Sequence, residues 1–448
     1  MEVSIVSTER IKPSSSTPDH LRTFKLCLLD QLIPAPYAPL VLVYLNEDGA
    51  THLQILDRVE ALKKSLSETL TRFYPLAGQI KDDLTIDCDD GGACFVETKV
   101  NCFLGEFLNR PDLQLIHRFL PCEAGFTGPS AGTPVASIQV NVFKCGGIAI
   151  GLCISHKIFD GASLSTFMKA WAAAASGAKQ IPYPDFAGAS LFPANDTWLR
   201  DSSMTMWSSL FKTGRCKTRR FVFDASAIAT LKAKAATSSV HSPTRVEAVS
   251  AFLWKSAMEA RLGYRRPSLL SHVVNLRPRT APNLPENSIG NLIWIASAEC
   301  TAEYDQLGLR GLVGKVKRGI SEINSELAKK LMRVSGNERF SAISKSLKRV
   351  QELGSKSKEV DYYGFTSWCN LGFYEADIGW GRPVWVSGIG SCASVFMNLI
   401  VLMDTRSGNG IEAWVTLDEE EMAILESDLE LLTFASLDPS PLRLCKLI

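Results

Sequence analysis

The sequence is 448 residues long, past the roughly 250–300 at which a single hydrophobic core stops growing, so two domains are expected. Its composition, 46% hydrophobic and 21% charged, is that of a globular protein. Lys and Arg total 48 against 47 Asp and Glu, a net charge of +1; this excludes a field that collects nucleic acid or an anionic membrane, and leaves any anionic ligand to a local cluster.

Met1 to His20 is polar and carries Glu2, Glu9 and Asp19, so it lacks the apolar core of a secretory signal. Leu62, Leu66, Leu70 and Phe73 recur at helical spacing, which predicts an amphipathic helix over Asp57 to Phe73 that stops at Pro75. Ile138, Val140 and Val142 alternate with polar residues. Ile148, Ile150, Leu152 and Ile154 alternate with Ala149, Gly151 and Cys153. These are two strands joined by a hairpin turn at Lys144 to Gly147. The second strand ends at Ser155-His156, and a helix carrying Leu164, Phe167, Met168 and Trp171 follows Gly161. From Ile181 to Thr218 the pattern loosens among prolines and glycines. The crossover is drawn at 191–218, between an N-terminal domain at 1–190 and a C-terminal domain at 219–448. Thr244-Arg245-Val246-Glu247 reads as a capping box that opens a second helix. An apolar run ending Val273-Val274-Asn275-Leu276-Arg277 comes next, then helical patterns over roughly Glu303 to Leu353. Val395 to Met403 and Ile411 to Leu417 read as strands, with Asp418 capping a final helix. Alternating strands and helices in both halves make the fold class α/β (α+β), with two domains.

Within this frame His156-Lys157-Ile158-Phe159-Asp160-Gly161 is the chemical candidate. Activating an alcohol takes a base that titrates near neutrality, which His supplies. A residue just past a strand is also where scaffolds present functional groups. Asp160 would turn away and hold the loop through an ion pair, and Gly161 would permit the sharp entry into the helix. Spacing alone leaves open a core histidine beside a surface aspartate. The six histidines, at 20, 52, 117, 156, 241 and 272, lack metal-ligand spacing, so no metal is expected.

His156-x-x-x-Asp160-Gly161 resembles the defining motif of the plant BAHD acyltransferases. Asp377-Ile378-Gly379-Trp380-Gly381 resembles that family's second signature, with Ile378 in place of its usual Phe. Tyr74 to Gly78, Val274 to Arg277, Thr366-Ser367-Trp368 and Asn398-Leu399-Ile400 extend the match along the whole chain, in order. The resemblance implies two chloramphenicol-acetyltransferase-like domains joined by a crossover loop, with a channel at their interface. Acyl-CoA enters from one face and the alcohol acceptor from the other. It makes His156 the general base and Asp160 a structural anchor. It makes Asp377 one partner of a remote ion pair, expected with Arg277, and the Gly379-Trp380-Gly381 turn a support for the CoA side. It points to Thr366 and Trp368 as donors to the tetrahedral oxyanion. From the residues themselves, the helix start at Thr244 and Arg245 is a candidate for CoA phosphates. Ser14 to Pro18, Leu29-Asp30-Gln31 and Tyr44 resemble the branch of vinorine-synthase-like alkaloid acetyltransferases. That implies acetyl-CoA as co-substrate and a hydroxyl of a monoterpenoid indole or related alkaloid as acceptor. Other acyl-CoAs, and terpenoid or phenolic alcohols, stay open.

Two other readings are carried. Gly128 to Gly132 matches the Gly-x-Ser-x-Gly of serine esterases, with Ser130 as nucleophile, but it sits among glycines and prolines with no strand before it. A non-catalytic homologue that binds a metabolite or partner is the other. The 12 cysteines are scattered without a Cys-x-x-Cys pair, which fits reduced thiols in a cytoplasmic enzyme. No apolar run approaches the ~20 residues that span a bilayer. Cys445 stands in the prenylation position, but Lys446, Ile448 and the lack of a polybasic run argue against it. A cytoplasmic monomer is expected.

Overall fold

The computed structural model describes residues 1–34, 36–122, 131–194, 197–236, 242–261, 266–301, 308–332, 341–345, 360–388 and 395–444. Two large mixed sheets organise the chain. The first takes β1 (Val3–Ile11), β2 (Tyr37–Tyr44), β3 (Ala93–Val100), β4 (Ala136–Phe143) and β5 (Ile148–Ser155). The second takes β6 (Cys216–Phe223), β7 (Ser268–Asn275), β8 (Ile293–Cys300), β9 (Asp361–Ser367), β11 (Leu399–Asp404), β12 (Ile411–Asp418) and β13 (Ser436–Leu437). The short strand β10 (Trp385–Ser387) belongs to the first sheet, whose order is β1-β3-β4-β5-β2-β10. The second sheet runs β8-β7-β9-β11-β12-β6-β13.

The β4–β5 hairpin forms as expected, with Val142 opposite Ile148. Both faces of β5 are buried, however, and not one alone. The small-residue face explains this: a Cβ on Gly151 would lie 1.9 Å from the Phe119 carbonyl oxygen, because the 3-10 segment Leu113–Phe119 packs directly on the strand. Helix α1 (His52–Arg72) begins ahead of the expected Asp57, since Thr51 and Gln54 form a capping box. It packs on α2 (Gly161–Ala175), where the Trp171 indole N–H donates to Ser65 Oγ at 3.1 Å.

In the second half, α3 (Arg245–Glu259) starts on the predicted Thr244–Glu247 box. The long helical pattern after Glu303 resolves into α4 (Gly308–Glu322) and α5 (Ser325–Met332). Asn324 breaks it by accepting from the Glu326 and Leu327 N–H groups at 3.0 and 3.1 Å, which starts a new helix. Residues 333–340 and 346–359 lie outside the described residues. The expected strand from Val395 splits at Met397-Asn398: Val395 and Phe396 pair with Thr213 and Lys212, whereas Leu399 onward joins the second sheet opposite Gly364.

Two features of the organisation go beyond the expectation. The segment 191–218, drawn as a loop, contains a helix at Thr197–Ser208. Its Ser203 hydroxyl and Trp207 indole both donate to the Leu32 carbonyl, at 2.6 and 2.9 Å. And 219–448 does not map onto one sheet: β10 pairs antiparallel with β2, Trp385 opposite Val43. Trp385 is thereby buried between the halves at 1% exposure, 6.4 Å from Phe107 and stacked on Trp414 of β12 at 5.7 Å.

Candidate active site

His156 directly follows β5, and its backbone is fixed at both ends of the residue. Its N–H donates to the Pro36 carbonyl at 2.8 Å, and its carbonyl accepts from Asn291 Nδ2 at 2.8 Å. Asn291 is fully buried and tethered in turn: Asp30 Oδ1 accepts from its backbone N–H at 2.7 Å and its side-chain amide at 3.0 Å. Burial pushes the Asp30 carboxyl up to about 6 despite these donors. The His156 ring is half-buried. Its Nδ1 is buried and has no hydrogen-bond partner among the described residues. The ring nitrogen available to a substrate is therefore Nε2. Burial lowers the imidazole pKa below its ordinary value; the ring's own backbone, the Asp160 charge and the Asn291 carboxamide oppose that. The neutral ring, the form that accepts a proton, is the one favoured near pH 7.

Asp160 does not face the histidine's reactive edge. As N-cap of α2 it accepts from Ser163 N–H at 2.8 Å. It also meets Arg277 in a fork, Nη1 to Oδ2 at 2.7 Å and Nη2 to Oδ1 at 3.1 Å. Both residues are nearly fully buried, at 3% and 2% exposure. The expected Asp377–Arg277 pair is thereby corrected, for Arg277 is the partner of Asp160. Asp377 is exposed, and its Oδ1 accepts from the Gly379 and Gly381 N–H groups at 2.9 and 3.3 Å. Both glycines have positive φ, 96° and 133°, which the turn requires. The turn rests on Ala175 and Ser176 at the far end of α2. That is a helix of 15 residues, or roughly 22 Å, from the Asp160 cap, too far for the expected pair. Trp380 lies under the Arg58 guanidinium at 5.1 Å. Ile378, in place of an aromatic, is 1% exposed and packs in the first sheet's core.

His156, Asp160, Gly161, Thr366 and Trp368 line one cavity of about 270 Å³ between the two sheets. Gly161 is needed there for space and not for backbone freedom. A Cβ on it would lie 3.1 Å from Trp368 Nε1, and one on Gly388 would lie 2.8 Å from Trp368 Cζ3, so the indole is clasped between two glycines. The remaining wall is mostly apolar, with Pro36, Tyr37, Trp207, Ile293 and Val401, and adds Asn275 and Ser367 as polar members. Asp160 is its only carboxylate among the described residues, and Arg277 already holds it. Asn291 and Trp207 were missed in the sequence reading, and Asp30 was noted only within Leu29-Asp30-Gln31 and not as a site residue: each lies far along the chain from His156, and no local pattern ties it to the site.

Thr244 and Arg245 stand elsewhere. Thr244 is committed to its cap, with Glu247 N–H donating to its Oγ1 at 3.1 Å. Arg245 donates to Asp404 at 2.6 Å, Asn370 at 2.8 Å and the Gly408 carbonyl at 2.7 Å. A phosphate at this helix start would compete with the Asp404 carboxylate. Ser130 and Cys445 lie outside the described residues. No group of His, Cys, Asp and Glu among the described residues is arranged to hold a metal ion, and no helix among them is long and apolar enough to cross a membrane.

The family model described as the Transferase family matches residues 1–432. An epi-neemfruitin B 7-O-acetyltransferase of Melia azedarach is 44% identical over 458 residues, which span 99% of this chain and 100% of that protein. A limonoid 7-O-acetyltransferase of Citrus sinensis is 45% identical over 463 residues, with the same two shares. The crystal structure of vinorine synthase matches with a TM-score of 0.80 at 32% identity, covering 97% of this chain and 99% of that one. A histidine on the wall of an inter-sheet cavity thus lies in a chain that belongs, over nearly its full length, to the BAHD acyltransferases of the Transferase family, enzymes that take an acyl group from acyl-CoA.

Proposed function

We propose that this chain transfers acetyl from acetyl-CoA to a ring hydroxyl of a neutral, limonoid-type polycyclic alcohol, with His156 as general base. The observation that carries the reading is an imidazole, its pKa lowered by burial, on the wall of a mostly apolar cavity whose one carboxylate among the described residues is already paired. A protonated alkaloid amine lodged in this chamber itself would lack a counter-ion in its wall, and burying an unpaired cation is costly. The two acetyltransferases of Melia and Citrus, named for limonoid-type 7-O-acetylation, support both the acetyl group and the acceptor class.

His156 Nε2 takes the alcohol proton as the oxygen attacks the thioester carbonyl. The charge that develops on the carbonyl oxygen needs donors fixed in advance, and the Thr366 hydroxyl and Trp368 indole N–H are the candidates on the cavity wall. Collapse breaks the C–S bond, and the CoA thiolate recovers the proton from His156. The Asp160–Arg277 fork holds the loop without entering the reaction. The bound N–H and carbonyl of His156 fix its main chain, so the point from which the ring projects is set before substrate arrives. Every cysteine among the described residues is free, which supports a reducing, cytoplasmic setting.

The test is thiol release from acetyl-CoA on mixing with a limonoid bearing a free ring hydroxyl, with an indole alkaloid alcohol as competitor. An acetylated limonoid and an unreacted alkaloid are expected. Preferential acetylation of the alkaloid would overturn the acceptor assignment.

A further inference from the structure

A second cavity, of about 790 Å³, abuts the reacting one. The two share Ile33, Ile293 and Ile295 as common walls. Residues 293, 295 and 297 of β8 point to one face of the sheet, by strand alternation. The first two border both cavities, while Ser297 borders only the larger. This edge strand, which also lines the larger chamber with Trp294 and Ala296, thus runs from the histidine's chamber into the larger one.

The reacting chamber, at about 270 Å³, falls below the roughly 300–1,000 Å³ of sites that bury drug-sized ligands. It must also admit the acyl thioester, so a polycyclic alcohol cannot be held there whole. The larger chamber has an apolar body, to which Met206, Ile323 and Leu327 contribute, and an open polar rim carrying Lys330 and Lys345. Glu322 and Glu326 stand on the same rim, the latter paired with Lys329 at 3.0 Å. A rim of mixed sign is not the cation cluster that the phosphates of CoA call for.

We propose that the acceptor spans both chambers. Its reacting hydroxyl reaches His156 through a waist formed by Ile33, Ile293 and Ile295. Its ring system fills the apolar body of the larger chamber, and carbonyl or ester oxygens at its far end accept from Lys330 and Lys345. The ligand class is an uncharged, rigid polycyclic alcohol oxygenated at the end remote from the reacting hydroxyl. The inference rests on the acyltransferase reading above and adds where the bulk of the acceptor lies.

Leu327→Trp narrows the larger chamber from a half-buried position, and Lys330→Ala removes a rim donor from an exposed one. The readout is the ratio of kcat/KM for a tetracyclic triterpenoid with a free ring hydroxyl to that for cyclohexanol, which needs only the small chamber. Leu327→Trp should lower this ratio by about tenfold or more, mainly through KM of the triterpenoid, the scale on which pocket shape discriminates. Lys330→Ala should lower it by a few-fold. Calorimetric binding of the same triterpenoid, which needs no turnover, should weaken in step. An unchanged ratio in both variants, or no triterpenoid binding by the wild-type protein, would overturn the two-chamber assignment. Binding that weakens in both variants, with no transfer to either alcohol by any of the proteins, would instead sink the acyltransferase reading and leave the chamber standing.

Discussion

Asp160→Ala probes the pairing that the sequence resemblance misassigned. Asp160 and Arg277 are 3% and 2% exposed and share two hydrogen bonds. Removing one member of a buried pair costs about 3–5 kcal/mol, because the remaining charge is stranded. Asp160 also caps α2 through Ser163 N–H, and losing a cap adds about 1 kcal/mol. Against this, Arg277 keeps neutral acceptors: the Ser288 carbonyl at 2.7 Å, Asn275 Oδ1 and Ser163 Oγ at 3.1 Å, and the Gly290 carbonyl at 3.3 Å. These hold the net loss toward the lower end, at about 4 kcal/mol. With unfolding entropy of roughly 2.1 cal/mol/K per residue, 448 residues melting as one unit carry about 0.9 kcal/mol/K, so the midpoint falls by about 4 °C. Scanning calorimetry measures it. Asp160→Asn keeps an oxygen for Ser163 N–H and should recover about 1 kcal/mol of the loss. In the double mutant with Arg277→Met, the two losses should fall short of additivity by about 2 kcal/mol or more. Additive losses, or an Asp160→Ala midpoint within about 1 °C of wild type, would refute the argument.

His156→Ala should lower kcat by about 10²–10⁴-fold with an unchanged melting midpoint; near-normal turnover would remove the base from the mechanism. The unprotonated ring is the active form and its folded-state pKa is lowered by burial, so kcat/KM should hold as pH falls through about 6.5, the ordinary imidazole value, and drop only below it. An acid limb centred above 6.5 would contradict the burial argument. Asp377→Ala, which loses two hydrogen bonds on an exposed turn, should cost only about 1–2 kcal/mol and leave kcat within about threefold of wild type, measured by denaturant melts and initial rates. Incubation with acetyl-CoA alone should leave no acetyl group on the protein by intact mass; a stoichiometric adduct removed by acceptor would establish an acyl-enzyme instead.

Much of this was legible from local pattern. The β4–β5 hairpin, the helix after Gly161 and the Thr244 capping box rest on short-range rules, and each forms where those rules put it. What escaped was set by distant packing. Trp385 reads locally as a residue of the second half, yet its strand pairs with β2 of the first sheet, and its ring is shared between Phe107 of the first half and Trp414 and Arg220 of the second. Gly151 reads as half of an ordinary alternation, and only the approach of Phe119 shows why no side chain fits. The same limit divided the site. His156 and Asp160 were found because they are four residues apart. Asn291 and Asp30, which hold the His156 loop from 135 and 126 positions away, carry no local sign of that task. The Asp377–Arg277 pairing failed for a related reason: family signatures mark positions, and charge complementarity alone does not say which carboxylate a buried arginine meets.

The buried charges acquire a purpose when their placement across the two sheets is considered. Arg277 follows β7 of the second sheet, yet its fork holds Asp160, which follows β5 of the first. Asn291, just before β8, reaches the His156 carbonyl in the same direction. Arg220 of β6 is fully buried with Glu412 of β12 at 2.9 Å, and its guanidinium lies over Trp385 of the first sheet. Buried ion pairs seldom add net stability over well-packed apolar residues. Apolar contacts across these sheets would tolerate a small slide of one against the other, since they lack direction. A bidentate fork does not, because a shift of 1 Å breaks both bonds. The general base sits on one sheet, while part of the wall that must receive the acyl carbonyl, including Thr366 of β9, sits on the other. Registry between the sheets is thus the same quantity as the distance over which the proton and the acyl group move, and the directional contacts are concentrated where that distance is set.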